Sequence, residues 1–405
     1  MQKAVLLALL LGIISGFSPF PGQEQFAEGL IQLFMNALKL VSLPVIFLSL
    51  LVSLIGFKEK GEIKWMGKNV LRYTLATTLI AAAVALGLFL AVAPVGEHPE
   101  LQVANPQIEG GGYLSYLLNI VPSNVFQPFV EGNVIAVLFL AVALGLALLT
   151  TPGKEKVHAV LRPVLDGLMK ITRAICWVIP LSVWAGVVLS FGEFKSGGLF
   201  ASLSLYLIVI VGANLLQGFV ILPIFLKWKG YSPITVFRQF LPALSVAFFS
   251  KSSVASIPVA MRCAEENLGV SPRISKFAFP ICTTINMNGC AAFILTTALY
   301  VSMSHGLTFS PFELAGWVLI ATLAAVGNAG VPMGCYFLSS ALLASMNVPL
   351  EMMALILPFY SVIDMVETAL NVFSDGCVTL MVQKKAEVEQ PQLISQEREP
   401  SALGS

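Results

Sequence analysis

Long apolar runs, each of roughly 20 residues or more, occupy most of the chain, and polar residues fall mainly between them. A helix needs about 20 apolar residues to cross about 30 Å of hydrocarbon, so each run predicts a membrane-crossing helix. The pattern predicts full helices near 4–20, 27–56, 69–95, 160–192, 199–226, 274–300 and 350–382. From Tyr113 to Thr151 the apolar run is cut by Pro122, Pro128 and Gly132, which predicts a kinked, multi-piece segment. Ala4 to Phe17 leads into Ser18-Pro-Phe-Pro with no small-x-small cleavage site and reads as the first span.

Two blocks, 231–260 and 315–346, break this pattern. Between Leu241 and Pro258 five serines and Lys251 interrupt apolar sequence, and Gly327 to Gly334 divides the second block into two short apolar arms. Arms that short do not span, and freed backbone groups at membrane depth persist only where protein covers them or a cavity is lined by them. The expectation is two re-entrant helical hairpins dipping in from opposite faces. Each is followed by a long helix, 274–300 or 350–382, which suggests inverted repeats with a site at the midplane.

Composition agrees: 57% of the 405 residues are hydrophobic and 11% charged, far from the balance of a soluble domain. The net charge of +1 argues against a nucleic-acid partner. Basic residues set the orientation, because Lys and Arg collect in short cytoplasmic loops. They gather at 57–72, 151–162, 227–238, 262–276 and 384–385, whereas 18–28, 93–112 and 301–314 contain none. The expected topology is a multi-pass protein of the inner (plasma) membrane with both termini cytoplasmic and a disordered cytoplasmic tail over 383–405. Cys176, Cys263, Cys282, Cys290, Cys335 and Cys377 show no metal-like or disulfide-like spacing and read as small packing residues.

The candidate chemistry lies in the last helix. Asp364, Glu367, Thr368, Asn371 and Asp375 fall at offsets 0, 3, 4, 7 and 11, on one helical face. Each carboxylate at the centre of a membrane helix costs about 2.5–3.5 kcal/mol, so three on one stripe require cations nearby. Monovalent cations and a substrate ammonium group are the simplest. A second polar patch, Thr283-Thr284-Ile-Asn286-Met-Asn288-Gly289, interrupts the helix 274–300. Amides, hydroxyls and freed carbonyls are hard oxygen ligands suited to sodium-like ions.

Four segments together resemble the dicarboxylate/amino acid:cation symporter family, the glutamate transporters: Ser250-Lys-Ser-Ser-Val-Ala-Ser-Ile-Pro258, Asn286-Met-Asn-Gly289, Gly327-Asn-Ala-Gly-Val-Pro332 and Asp364-Met-Val-Glu-Thr-Ala-Leu-Asn371 with Asp375. The similarity covers nearly the whole chain. It implies an all-α polytopic membrane protein with eight transmembrane helices, two re-entrant hairpins and an elevator mechanism, assembled as a homotrimer in the bilayer. A scaffold of 1–68 and 113–192 would hold still while a transport domain of 69–95 and 199–382 moves. By motif position, Asp364 would bind the substrate ammonium, and Thr368 and Asn371 its main-chain end. The hairpin backbones at Ser252, Ser253, Val331 and Pro332 would cradle its carboxylate. Asn286, Asn371 and Asp375 would form one sodium site, and Thr284 with the backbone of Ala325, Val326 and Asn328 a second. Thr77, Thr78 and the Asn288 position match a third.

Two departures shape the functional expectation. Glu367 stands where acidic-substrate members carry an Arg, so an acidic side chain would be repelled; like charges a few Å apart in a poorly solvated site cost several kcal/mol. The local motif is similar to the sodium/serine-threonine symporter branch, and Cys290 also fits a non-acidic side chain. Asn288 replaces the usual acid of its motif, so the third cation site loses its charge. The reading is therefore a sodium-coupled symporter of small, neutral or hydroxylated amino acids, with sodium as the coupling ion, no other cofactor and no enzymatic activity. An acidic amino acid symporter driven by sodium or protons is the alternative. A channel, or an intramembrane serine hydrolase using Lys251 as base, ranks below both; His98, His158 and His305 all fall in expected loops.

Overall fold

The computed structural model describes residues 2–56, 61–95, 121–196, 198–328 and 333–391, and they form helices with no strand among them. In chain order the elements are α1 (Gln2–Phe17), α2 (Gln23–Ile55), α3 (Gly61–Val92), α4 (Gln127–Val130), α5 (Val134–Leu149), α6 (Lys154–Cys176), α7 (Ile179–Ser196) and α8 (Gly198–Leu216). A π-helical turn, Gln217–Ile221, joins α8 to α9 (Leu222–Trp228). Then follow α10 (Pro233–Ser250), α11 (Ser253–Arg262), α12 (Pro272–Ile285), α13 (Asn288–Ser304), α14 (Pro311–Gly327), α15 (Gly334–Ser345) and α16 (Glu351–Glu389). Among the described residues, five helical stretches are long and apolar enough to cross a membrane: 64–92, 201–228, 233–250, 272–304 and 351–389.

Local chemistry explains most of the boundaries. Ser310 and Glu313 form a reciprocal capping box that opens α14, with Pro311 in its first turn, where a missing N–H is harmless. Asn133 caps α5 by accepting from the Ala136 N–H, and Ser252 caps α11 by accepting from the Ala255 N–H. Lys251 closes α10 in the left-handed conformation, at φ 54°. The expected turn between the arms of the first hairpin is thus a single left-handed residue followed by a serine cap.

Several expectations need correction. The run 160–192 is two helices, because the backbone breaks at Trp177 and Val178 just before Pro180, which cannot donate to the ladder. α6 begins at Lys154, so His158 is helical rather than in a loop. α3 begins at Gly61, eight residues before its apolar run, because Lys and Arg are good helix formers and apolar periodicity marks only the packed part. The tail expected to be disordered from 383 is helical to Glu389. There Lys385 donates to Asn69 Oδ1 (2.8 Å) and Trp65 Nε1 to Glu389 Oε2 (3.0 Å), fastening the end of α16 to the start of α3. α10, the first arm of the block 231–260, has 18 residues and rises about 27 Å. The segments 113–120 and 392–405, together with His98, lie outside the described residues.

α13 is the centre of the fold. Every side chain from Asn288 to Ser302 is buried, and α3, α8, α14, α15 and α16 all pack against it. One core cluster runs along α13 through Phe293, Leu295, Tyr300, Tyr336 and Tyr360; another joins α16 to α10 and α12 through Phe240, Phe279, Phe373 and Val378. Smaller clusters hold α2 against α6 (Val41, Val45, Leu165) and α2 against α7 (Ala27, Ala185, Val188). α10 and α11 pack on one another as a helical hairpin, whereas α14 and α15 each pack on α13.

Candidate functional site

The polar patch in the sequence marks a break in the helical backbone. α12 ends at Ile285 and α13 starts at Asn288, so Asn286 and Met287 interrupt one long helical path deep in the protein. Asn286 is fully buried, with its N–H bonded to the Cys282 carbonyl. An interruption of this kind frees backbone groups and side-chain amides at membrane depth, where each needs a partner.

The partners come from α3 and α16. Asn286 Nδ2 donates to Asp375 Oδ1 (3.0 Å) and to Ser374 Oγ (2.9 Å), while Thr283 Oγ1 donates to Asp375 Oδ2 (3.3 Å). Asn288 Nδ2 donates to the same Ser374 Oγ (2.7 Å), and its Oδ1 accepts from Thr78 Oγ1 (2.8 Å). Thr77 Oγ1 reaches Asn286 Oδ1 at 3.3 Å. Gln217, turned inward by the π-helical turn, donates through Nε2 to the Thr77 carbonyl (3.1 Å). All of these side chains are buried.

The structure therefore brings together Thr77, Thr78, Asn286, Asn288 and Asp375. Ser374 and Gln217 complete the network without having been singled out in the sequence. Ser374 was legible in principle, because it lies seven residues after Glu367 on the same helical face. Gln217 was not, since only the irregular turn in its helix aims it at Thr77.

A second group lies toward α14 and α15. Asn371 Oδ1 accepts from the Gly289 N–H (2.9 Å), so the amide closes the gap at the start of α13. Its Nδ2 faces Met287 Sδ and Cys290 Sγ, each at 3.5 Å. Asn328 Nδ2 faces Cys290 Sγ (3.2 Å) and Cys335 Sγ (3.4 Å). Cys290 and Cys335 form a disulfide, with Cα atoms 5.4 Å apart. This corrects the expectation that the cysteines merely fill space. The two are 45 residues apart in sequence and become neighbours only because α15 packs on α13. Cys263, Cys282 and Cys377 fit the packing expectation, being buried and unpaired with another cysteine.

Glu367 stands beside this pair, 1% exposed, and neither carboxylate oxygen has a hydrogen-bond partner. Gly289 brings it close: a Cβ on Gly289 would lie 2.9 Å from Glu367 Cα and 2.9 Å from Asn214 Oδ1. Backbone cannot yield as a flexible side chain does, so Gly289→Ala is expected to force α13 and α16 apart. The expected loss is about 1–3 kcal/mol, read as a lowered midpoint of thermal unfolding for the purified protein. An unchanged midpoint would show that the two helices have slack.

Other expected site residues are placed differently. Asp364 is half-buried one turn before Glu367, and Thr368 Oγ1 turns back to the Asp364 carbonyl (2.7 Å). Thr284 Oγ1 bonds the Pro280 carbonyl of its own helix (2.9 Å), so this hydroxyl is not engaged with Ala325, Val326 and Asn328, which are buried at the end of α14. Ser252 and Ser253 sit at the tip of the α10–α11 hairpin, Ser252 as the helix cap. Lys251 Nζ donates to Ser361 Oγ on α16, which anchors that tip near Asp364 and takes the ammonium away from the hairpin serines that a hydrolase would use. Val331 and Pro332 lie outside the described residues.

Comparison with known proteins follows the same lines. The sequence profile of the sodium:dicarboxylate symporter family matches residues 1–385. Neutral amino acid transporter B(0) of Bos taurus is 27% identical over 388 residues, covering 85% of this chain and 71% of the relative. Excitatory amino acid transporter 2 of Homo sapiens is 24% identical over 425 residues, covering 90% of this chain and 74% of the relative.

Proposed function

The chain belongs to the sodium:dicarboxylate symporter family and is a sodium-coupled amino acid transporter; from that premise we propose that its substrates are small neutral amino acids, with hydroxylated ones such as serine and threonine preferred. The observation that carries this reading is Glu367, a buried carboxylate whose two oxygens have no partner. A hydroxyl on the substrate side chain donates to it, whereas a second carboxylate brings like charge into the same dry volume. The name of the Bos taurus relative, neutral amino acid transporter B(0), points the same way.

On this reading Asp364 takes the substrate ammonium, and Thr368 and Asn371 hold its main-chain end, with the two hairpin tips closing over the carboxylate. Asp375 with Asn286, Thr283 and Asn371 forms a sodium site; the third site is lost, because Asn288 supplies a neutral amide satisfied by Ser374 and Thr78. The protein works as a homotrimer with eight membrane-spanning helices, two re-entrant hairpins and cytoplasmic termini. A transport domain of 69–95 and 199–382 moves like an elevator against a scaffold of 1–68 and 113–192.

The test is uptake of radiolabelled serine into proteoliposomes with and without an inward sodium gradient. Accumulation that requires sodium supports the reading; sodium-independent equilibration would overturn it in favour of a channel. In the same assay Asp375→Asn is expected to raise the sodium concentration for half-maximal uptake at least about tenfold, the equivalent of about 1.4 kcal/mol. The variant removes the one anionic ligand of a set whose other members are neutral. An unmoved sodium curve would put the coupling site elsewhere.

A further inference from the structure

Beside the sodium-type network of α3, α12 and α16 lies a donor set of different chemistry. Cys290 Sγ on α13, Cys335 Sγ on α15 and a carboxylate oxygen of Glu367 on α16 all lie within 4.8 Å of one another, and all three residues are buried. In the structure the two sulfurs are joined as a disulfide; once that bond is reduced, three donor atoms this close can converge on one ion. Their character is selective: sodium, magnesium and calcium take oxygen ligands, whereas two sulfurs with one carboxylate are the ligand set of zinc and its soft relatives.

Two further observations point to a cation here. Both Glu367 oxygens are without a hydrogen-bond partner although the residue is 1% exposed, an arrangement that is costly unless a positive group fills the contact. In addition, the amide of Asn328 donates to both sulfurs (3.2 and 3.4 Å) and that of Asn371 to Cys290 Sγ (3.5 Å). In the dithiol state the same donors would stabilise thiolates, and such outer partners commonly orient and tune metal ligands. Lys251, whose ammonium is engaged with Ser361, is not drawn to Glu367.

We propose that Cys290, Cys335 and Glu367, in the dithiol state of the chain, form a binding site for a soft divalent cation, Zn²⁺ being the physiological example. Three protein ligands leave a fourth position open in a tetrahedral site. The ion joins α15 to α13 and α16, and it occupies the carboxylate that a substrate hydroxyl would use, so it competes with transport. The site stands or falls independently of the sodium-coupled reading, because its ligands are identified by the metal's own signals.

The experiment uses the purified full chain, reduced with a phosphine under inert gas, desalted and titrated with CdCl₂ as a spectroscopic stand-in for Zn²⁺. One Cd²⁺ bound per chain, with the near-ultraviolet absorption of cadmium–thiolate charge transfer, is the expected result. Cys290→Ser with Cys335→Ser should lose both signals, and Glu367→Gln should weaken binding at least about tenfold while keeping the absorption. X-ray absorption at the cadmium edge of the unmodified protein needs no variant, and it should show two sulfurs with oxygen completing the shell. The proposal is overturned by no stoichiometric Cd²⁺ in the reduced protein, by a shell without sulfur or with three or more, by the charge-transfer band surviving in the double serine variant, or by unchanged affinity in Glu367→Gln.

Discussion

Asp364→Asn is expected to abolish sodium-driven uptake of serine at trace concentration, with a fall of at least about 100-fold. Asp364 precedes the buried part of the α16 stripe by one turn and is only half-buried, so its side chain is available to a ligand while Glu367, Asn371 and Asp375 behind it are enclosed. An α-ammonium brought to membrane depth without a carboxylate partner forfeits a charge-assisted hydrogen bond worth about 1.5–3 kcal/mol and keeps its desolvation penalty. At about 1.4 kcal/mol per decade those terms together exceed two decades of affinity. The measurement is equilibrium binding of labelled serine alongside uptake. A variant that folds and binds serine like the unmodified protein would remove Asp364 from the substrate site.

The second large effect concerns selectivity. In competition against labelled serine near neutral pH, unlabelled threonine is expected to displace the tracer at least about 100-fold more effectively than aspartate. A second carboxylate a few Å from Glu367 in a poorly solvated site costs several kcal/mol, and neither Glu367 oxygen has a hydrogen-bond partner to offset it. Lys251 on the first hairpin donates instead to Ser361. Glu367→Gln keeps the shape and removes the repulsion, so it should narrow the gap. Glu367→Arg should tilt the preference toward acidic substrates. Strong aspartate competition with the unmodified protein would sink the neutral-substrate assignment and leave the transporter assignment standing.

Gln217 and the Cys290–Cys335 pair show why part of the site escapes sequence reasoning. The stripe of α16 was legible because a helix repeats every 3.6 residues, so Asp364, Glu367, Thr368, Asn371 and Asp375 share a face whatever packs against it. The break at Asn286–Met287 was legible as well, because a run of Thr and Asn inside an apolar helix leaves few other readings. Gln217 faces inward only through a π-helical turn, a departure in backbone hydrogen bonding that its residues do not announce.

The family resemblance marked Glu367 and Asn288 as departures that alter charge; by itself, the sequence determined what local physics determines: an apolar helical chain, the interruptions at 231–260 and 315–346, and the polar face of the last helix. Periodicity and solvation set these, and both act within a few turns of chain. Only the tertiary structure decided which polar groups satisfy one another. It gave Ser374 to Asn286 and Asn288, the Gly289 N–H to Asn371, and Lys251 to Ser361, and it left both Glu367 oxygens unpartnered beside two sulfurs. Those pairings join residues from 82 to 110 positions apart in the chain. They depend on how closely helices approach, which a glycine at 289 permits and which no helical period records.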